Sequence, residues 1–143
     1  MGRVVCATRG GEASRRTQQR AIDLAKERDA DLVFMCVVDP EFAEHTDEVL
    51  EQALRDELIR LGRSLLCIAQ ARAEEQGVEA ETVVRCGPVA ENLKTYLEES
   101  DAELLVIGTP AKERTTEVLG PENVEELADA IEKSTDVEVI VVS

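Results

Sequence analysis

A loop between an apolar run and a helical pattern carries the residues with the clearest chemical potential. The sequence GTPAKERTTEVLGPENVEE begins at Gly108, directly after the apolar run 104–107. Glycines at such a place let backbone N–H groups approach phosphate oxygens, and the start of a helix favours negative charge. Gly108, Thr109 and Gly120 are therefore candidate phosphate contacts.

The same loop also fits a simpler role as a connection. Pro121 suits the first turn of a helix, and Glu122 suits the positive end of the helix dipole. Proline offers a ligand neither a hydroxyl nor an N–H group. The loop alone therefore leaves both interpretations open.

A second candidate turn follows the first apolar run and is basic in an otherwise acidic chain. This turn runs from Arg9 to Ser14 and includes Gly10, and Arg15 and Arg16 follow in the first turn of the next helical pattern. Together with basic residues of the 108–121 loop, these guanidinium groups could bind an anion. The favoured alternative is that the arginines pair with the protein's own carboxylates, since exposed ion pairs are common and weak.

Strand-like and helix-like segments alternate along the whole chain. The apolar runs predict strands, and the period of three to four residues predicts helices between them. Nearly continuous apolar strands are typical of parallel sheets covered on both faces. The sequence predicts an α/β fold, an open five-stranded parallel sheet in a three-layer, Rossmann-like sandwich with helices on both faces. The predicted strands are 3–8, 31–39, 80–86, 103–108 and 137–143, and the predicted helices are 13–29, about 46–76, 88–100 and 122–134.

The helical patterns also predict which side chains face the core. In the first helix these are Ala21, Ile22 and Ala25, with Ser14 as a candidate cap. The longest helix has a large apolar stripe, which we expect to face inward: Leu50, Leu54, Leu58, Leu61, Leu65 and Ile68. Ligands of open parallel sheets bind beyond the carboxyl ends of the strands, where the strand order reverses. Both candidate turns are expected there.

Composition limits the classes of function. A chain of 143 residues is expected to form a single domain over 1–143. It has 31 acidic and 16 basic residues, net −15, so its surface should repel nucleic acid and anionic membranes. Such acidity also fits a halophilic source, where salt screens self-repulsion. No signal peptide or membrane insertion is expected, so the predicted location is the cytoplasm.

The four cysteines and the single histidine offer little support for catalysis. Cys6, Cys36, Cys67 and Cys86 are widely spaced, and they are expected to be small core residues in a reducing compartment. His45 lies in a polar stretch with no nucleophile linked to it by a sequence pattern. We therefore expect neither an enzyme nor a metal site.

Three stretches of this sequence resemble the universal stress protein family. VVCATRGGEAS (4–14) resembles the family's opening strand and turn, and CVVDP (36–40) resembles the end of its second strand. GVEAETVVRCGPVAENLKTYLEESDAELLVIGT (77–109) is the most specific stretch, with its Gly-Pro pair followed by an apolar strand that ends in glycine. The resemblance covers essentially the whole chain and implies a five-stranded α/β sheet.

One branch of that family binds ATP, and the resemblance allows a comparison by position. That branch has an aspartate after the first strand, a backbone contact from a valine after the second, and G-x-x-G-x9-G-[ST] after the fourth. Here Val37 and Gly108 match, but Arg9 stands in place of the aspartate and Ala111 in place of the second glycine. Gly120 fits the third glycine only if the loop is one residue shorter, and Pro121 then replaces the hydroxyl residue.

These departures lead to two expectations for function. The first is a regulatory stress-response protein that acts through protein contacts, with no cofactor in the family's usual ATP mode. The alternative is a sensor that responds to a nucleotide, such as ATP or AMP, or to another anion, through the 108–120 loop and the N-terminal arginines. The resemblance also implies a homodimer, and the apolar terminal strand 137–143 would suit edge-to-edge pairing.

Overall fold

The computed structural model describes residues 2–8, 12–38, 47–108 and 124–142. Within these ranges strands and helices alternate strictly, as the apolar patterns predict. The elements are β1 (Arg3–Ala7), α1 (Glu12–Arg28), β2 (Asp31–Val38), α2 (Glu48–Glu75), β3 (Ala80–Cys86), α3 (Val89–Ser100), β4 (Leu104–Gly108), α4 (Val124–Ser134) and β5 (Glu138–Val142).

The strands form one parallel sheet in the order β3-β2-β1-β4-β5. Strand β1 lies in the middle, with Ala7 level with Met35 of β2 and with Ile107 of β4. Its central residues Val4, Val5 and Cys6 are completely buried, which explains why these three positions carry apolar side chains. The predicted α/β fold is confirmed.

Two apolar cores lie on opposite faces of the sheet. Helices α1 and α2 cover one face, on which Val4 and Cys6 of β1 pack against them. Helices α3 and α4 cover the other face, on which Val5 packs. Successive residues of a strand point to opposite faces, so each buried strand contributes to both cores.

The predicted orientation of α2 was wrong in part. The side chains of Leu50, Leu61 and Ile68 are exposed, and the other members of the predicted stripe are half-buried. The helix instead presents a face of mostly small residues to the sheet, and the buried members of this face are Gly62, Leu66, Ala69 and Ala73. A β-carbon added at Gly62 would lie 3.4 Å from a methyl group of Val84 and 3.5 Å from the sulfur of Cys36. The helix backbone therefore lies close to the sheet.

Two smaller predictions also need correction. Helix α1 already includes Glu12, so Ser14 lies within its first turn and does not cap it. Cys6 and Cys36 are buried as predicted, whereas Cys67 is exposed and Cys86 is half-buried. Cys67 points away from the sheet because the buried face of α2 is formed by its neighbours Leu66 and Ala69.

Helix capping follows the local sequence. Asp47 precedes α2, and its carboxylate accepts a hydrogen bond of 2.8 Å from the N–H group of Val49. Asp101 ends α3 in the left-handed conformation, and its N–H group bonds to the carbonyl of Leu97.

No helix in the part of the chain that the structure describes is both long enough and apolar enough to span a bilayer.

Candidate functional site

The strand order reverses between β1 and β4, and the candidate turns leave the sheet there. The chain moves from β1 through β2 to β3 on one side, and then returns to β4 and β5 on the other. Gly108 ends β4 and Thr8 follows β1, so both lie at the carboxyl edge beside this switch point. Val37 lies near the end of β2, on the other side of β1. The candidates Arg9, Gly10, Thr109 and Gly120 lie outside the described residues, as does His45.

Gly108 is in close contact with the first helix. A β-carbon at this position would collide with the hydroxyl oxygen of Thr17, whose side chain is buried on α1. The absence of a side chain at Gly108 therefore lets α1 pack against the end of β4. This packing gives the glycine a structural reason to be there that does not depend on a ligand.

This contact predicts a specific pair of stability changes. Gly108→Ala is expected to lower the free energy of unfolding by about 1–3 kcal/mol, because it overpacks a filled site. The expected loss is smaller in a Thr17→Ala background, where the colliding hydroxyl is gone. Urea denaturation of the two single variants and the double variant gives the coupling energy, which should be about 1 kcal/mol or more. Strictly additive losses would contradict the proposed collision.

The backbone of Val37 faces the candidate site. The N–H group of Thr8 donates to the carbonyl of Met35 at 2.9 Å, on the β1 side of β2. On the β3 side, the N–H group of Gly87 donates to the carbonyl of Val38 at 2.9 Å. Because carbonyl direction alternates along a strand, the carbonyl of Val37 points to the β1 side, beyond Thr8. A carbonyl in this place can accept a hydrogen bond from an amino group such as that of adenine.

A buried polar network lies directly behind the turn. The side-chain amide of Gln18 donates to the hydroxyl of Thr8 at 3.1 Å. Its carbonyl oxygen accepts from the guanidinium of Arg72 on α2 at 2.7 Å. Gln18 is only 1% exposed. The network therefore joins the end of β1 to both helices on that face of the sheet.

The sequence interpretation missed Thr17 and Gln18 because both are polar. They lie one helical turn before Ala21 and Ile22, which were assigned to the inner face. Helical periodicity alone could have placed all four on that face. It could not have identified the partners of Gln18, since Arg72 lies 54 residues away in the sequence.

The N-terminal arginines are spread over different parts of the molecule. Arg15 and Arg16 are exposed near the start of α1, and each already interacts with another group of the protein. Arg3 lies at the opposite edge of the sheet, next to Tyr96. Burial raises the pKa of the Tyr96 hydroxyl, and the charge of Arg3 acts in the opposite direction. Arg3 therefore has a structural partner away from the switch point.

The buried thiol of Cys6 is not activated as a nucleophile. Complete burial raises the pKa of the Cys6 thiol far above its ordinary value, so this sulfur stays protonated and poorly nucleophilic. Among the described residues, no group of three or more His, Cys, Asp or Glu side chains is arranged to hold a metal ion.

Comparison with known proteins agrees with the fold and the motifs. The Universal stress protein family matches residues 1–143. Universal stress protein MJ0531 of Methanocaldococcus jannaschii is 31% identical over 115 residues, which cover 77% of this chain and 65% of that protein. The chain thus spans slightly less than two thirds of that relative.

Solved structures with low sequence identity have the same fold. A universal stress protein in complex with cAMP superposes with a TM-score of 0.70 at 22% identity, covering 99% of this chain and 97% of the other. A universal stress protein from Archaeoglobus fulgidus in complex with dAMP gives a TM-score of 0.64 at 17% identity, covering 100% and 98%. With a family match over its full length and this sheet order, the chain belongs to the universal stress protein family.

Proposed function

We propose that this chain is a regulatory, non-enzymatic universal stress protein that does not bind ATP through the family's phosphate loop. The observation that carries the proposal is the contact between Gly108 and Thr17, which explains the one clearly matching loop glycine by packing. The loop sequence agrees, because Ala111 and Pro121 replace a glycine and a hydroxyl residue. Pro121 offers a phosphate neither an N–H nor a hydroxyl donor, and the β-carbon of Ala111 hinders the close backbone approach that a glycine would allow.

A second candidate function is binding of an adenosine monophosphate, with Arg9 supplying the charge that the loop lacks. Two relatives of the same fold were crystallised with cAMP and dAMP, ligands that carry a single phosphate. The carbonyl of Val37 would meet the adenine amino group at the switch point. A monophosphate does not need the part of the loop that would hold the β- and γ-phosphates. The role of Arg9 rests on its position in the sequence directly after Thr8.

Titration with ATP, AMP and cAMP distinguishes the two functions. We expect no binding heat and no melting shift with ATP, at either low or high salt. If the second function holds, AMP or cAMP binds more tightly than ATP, and Arg9→Ala weakens that binding by about tenfold or more, as expected for the loss of a charge-assisted contact. Lys26→Ala, an exposed change in the last turn of α1, is the control. ATP that binds at least as tightly as AMP would contradict both functions.

We also propose that the protein forms a homodimer through β5, within a cytoplasmic setting that keeps its four thiols free. Strand β5 pairs with β4 on one side only, within the ranges that the structure describes. The N–H group of Glu138 bonds toward β4, to the carbonyl of Glu103 at 3.2 Å. Alternation therefore turns the N–H groups of Val139 and Val141 away from β4. Glu132 accepts from Val139 at 3.2 Å, which leaves Val141 as the residue best placed to bond a second chain.

Val141→Pro is the variant that tests this edge. Proline removes the outward N–H group without removing any bond to β4, so the fold should persist while pairing is lost. Val141→Ala keeps the N–H group and is the matched control for the 38% exposed side chain. We expect sedimentation velocity to show a dimer for the wild type and for Val141→Ala. The dissociation constant of the dimer should be at least about tenfold higher for Val141→Pro. Equal association of all three proteins would exclude this interface.

A further inference from the structure

Helix α2 carries a second apolar surface that the sheet does not cover. We call it the leucine stripe, and its members are Leu50, Leu54, Leu58, Leu61, Leu65 and Ile68. Leu50, Leu61 and Ile68 are 51%, 55% and 52% exposed, although the sheet-facing residues of the same helix are fully buried. Large side chains exposed along one line mark interaction surfaces more often than isolated ones do.

The spacing of the stripe matches helix-to-helix packing. From Leu54 to Ile68 the intervals are four, three, four and three residues. This is the a/d spacing of a coiled coil, which averages 3.5 residues and keeps a seam facing a neighbouring helix. From Leu50 to Ile68 the leucine stripe is about 27 Å long, at 1.5 Å per residue. A single helix of similar length would therefore cover it.

The charges of α2 are divided along its length in a way that suits a second copy. Residues 48–57 contain four carboxylates and one arginine, a net charge of 1 − 4 = −3. The rest of the helix, residues 58–75, contains three arginines and two carboxylates, a net charge of 3 − 2 = +1, and Arg72 among them donates to Gln18 of α1. An antiparallel neighbour places each segment opposite its complement, whereas a parallel neighbour would place like charges together. A two-fold axis produces this antiparallel arrangement.

Two charged residues beside the leucine stripe, Glu57 and Arg60, could form opposite-charge contacts between the two copies. Glu57 and Arg60 form an ion pair of 3.2 Å on the surface of α2, and both side chains are exposed. The middle of the stripe is residue 59, so a two-fold axis there brings Glu57 of one copy next to Arg60 of the other. An exposed pair within one helix contributes little, so its members can be shared with a second helix at low cost.

We propose that the leucine stripe pairs with the same stripe of a second copy in antiparallel orientation. The interface is separate from β5, since α2 covers the opposite end of the sheet, beside β2 and β3. The two interfaces together would link β5 dimers into higher assemblies. One helix per subunit buries less area than a permanent interface, so the association should depend on protein concentration.

The first test disrupts the leucine stripe in the Val141→Pro variant, which is not expected to pair through β5. Sedimentation velocity of the full chain carrying Val141→Pro is expected to show concentration-dependent dimers. Adding Leu61→Glu and Ile68→Glu should raise the dissociation constant by at least about tenfold, because each copy would bury two unpaired carboxylates. Cys67→Glu introduces the same charge at an exposed position on another side of α2 and should change the constant less than about threefold. Equal effects of the seam and control variants, or a monomer at all concentrations, would overturn the proposal.

The second test reverses charges and leaves the leucine stripe intact. It therefore remains valid even if the variants of the first test do not fold. Glu57→Arg and Arg60→Glu each place like charges across the two-fold axis, so each protein alone should associate more weakly than its parent. Mixing the two restores both opposite-charge contacts, and we expect a heterodimer to form preferentially. Circular dichroism melting confirms that each variant is folded. A mixture that associates no better than the separate variants would overturn the self-pairing.

Discussion

Leu66→Ala is expected to lower the free energy of unfolding by about 2–5 kcal/mol, the range for removing a leucine side chain from a close-packed core. Leu66 is 0% exposed and packs in the core between α2, α1 and the sheet. The backbone of α2 lies close to the sheet at Gly62, so the helix has little freedom to close the cavity. The loss should therefore lie toward the upper part of this range.

Leu61→Ala provides the matched control on the same helix. Its side chain is 55% exposed, so the same chemical change should cost less than about 0.5 kcal/mol. Urea denaturation followed by circular dichroism measures both variants, at a protein concentration low enough to prevent association through α2. If the two losses were equal, or if Leu61→Ala cost more, the helix would be turned with the leucine stripe inward.

This pair of variants tests the feature that sequence patterns predicted least well. Periodicity selects the largest apolar residues, and on α2 these form the leucine stripe. The sheet contact is formed instead by Gly62, Ala69 and Ala73 around Leu66. Small residues allow a helix backbone to approach a sheet closely, and hydropathy patterns give them little weight. When one helix carries two apolar faces, the sequence alone cannot decide which of them faces the core.

The sheet itself could be predicted well, for a clear physical reason. Parallel strands covered on both faces need nearly continuous apolar residues, so β1 and β4 are visible in the sequence to within one residue at each end. The reversal of strand order beside β1 then locates the candidate site at the carboxyl edge, where Val37 and Gly108 lie. Their role in binding remains a prediction. The contact between Gly108 and Thr17 depends on how closely α1 approaches β4, which no local pattern encodes.

The second large effect is expected from Gln18→Leu, which removes the centre of the buried polar network. The substitution keeps the size of the side chain but leaves the hydroxyl of Thr8 without this donor and the guanidinium of Arg72 without this acceptor. Buried polar groups that lose a partner cost about 1–3 kcal/mol each, more when one is charged. We therefore expect the free energy of unfolding to fall by about 2–4 kcal/mol, since Thr8 has a further interaction and Arg72 is only half-buried.

Gln19→Leu is the control from the next position of α1. The side chain of Gln19 makes three hydrogen bonds on the exposed side of the helix: it donates to Asp23 at 3.0 Å and to Gln76 at 2.8 Å, and it accepts from Gln76 at 2.9 Å. Water can replace both partners, so the expected change is within about 0.5 kcal/mol.

A double-mutant cycle then shows whether the network acts as a unit. Arg72→Leu removes the charge that Gln18→Leu leaves without a partner, so the double variant should be less destabilised than the sum of the two single variants. The expected coupling is about 1 kcal/mol or more, because the penalty for the unpaired guanidinium is counted only once. Additive losses, or equal losses for Gln18→Leu and Gln19→Leu, would mean that solvent satisfies Arg72 and that the network does not join α2 to the end of β1.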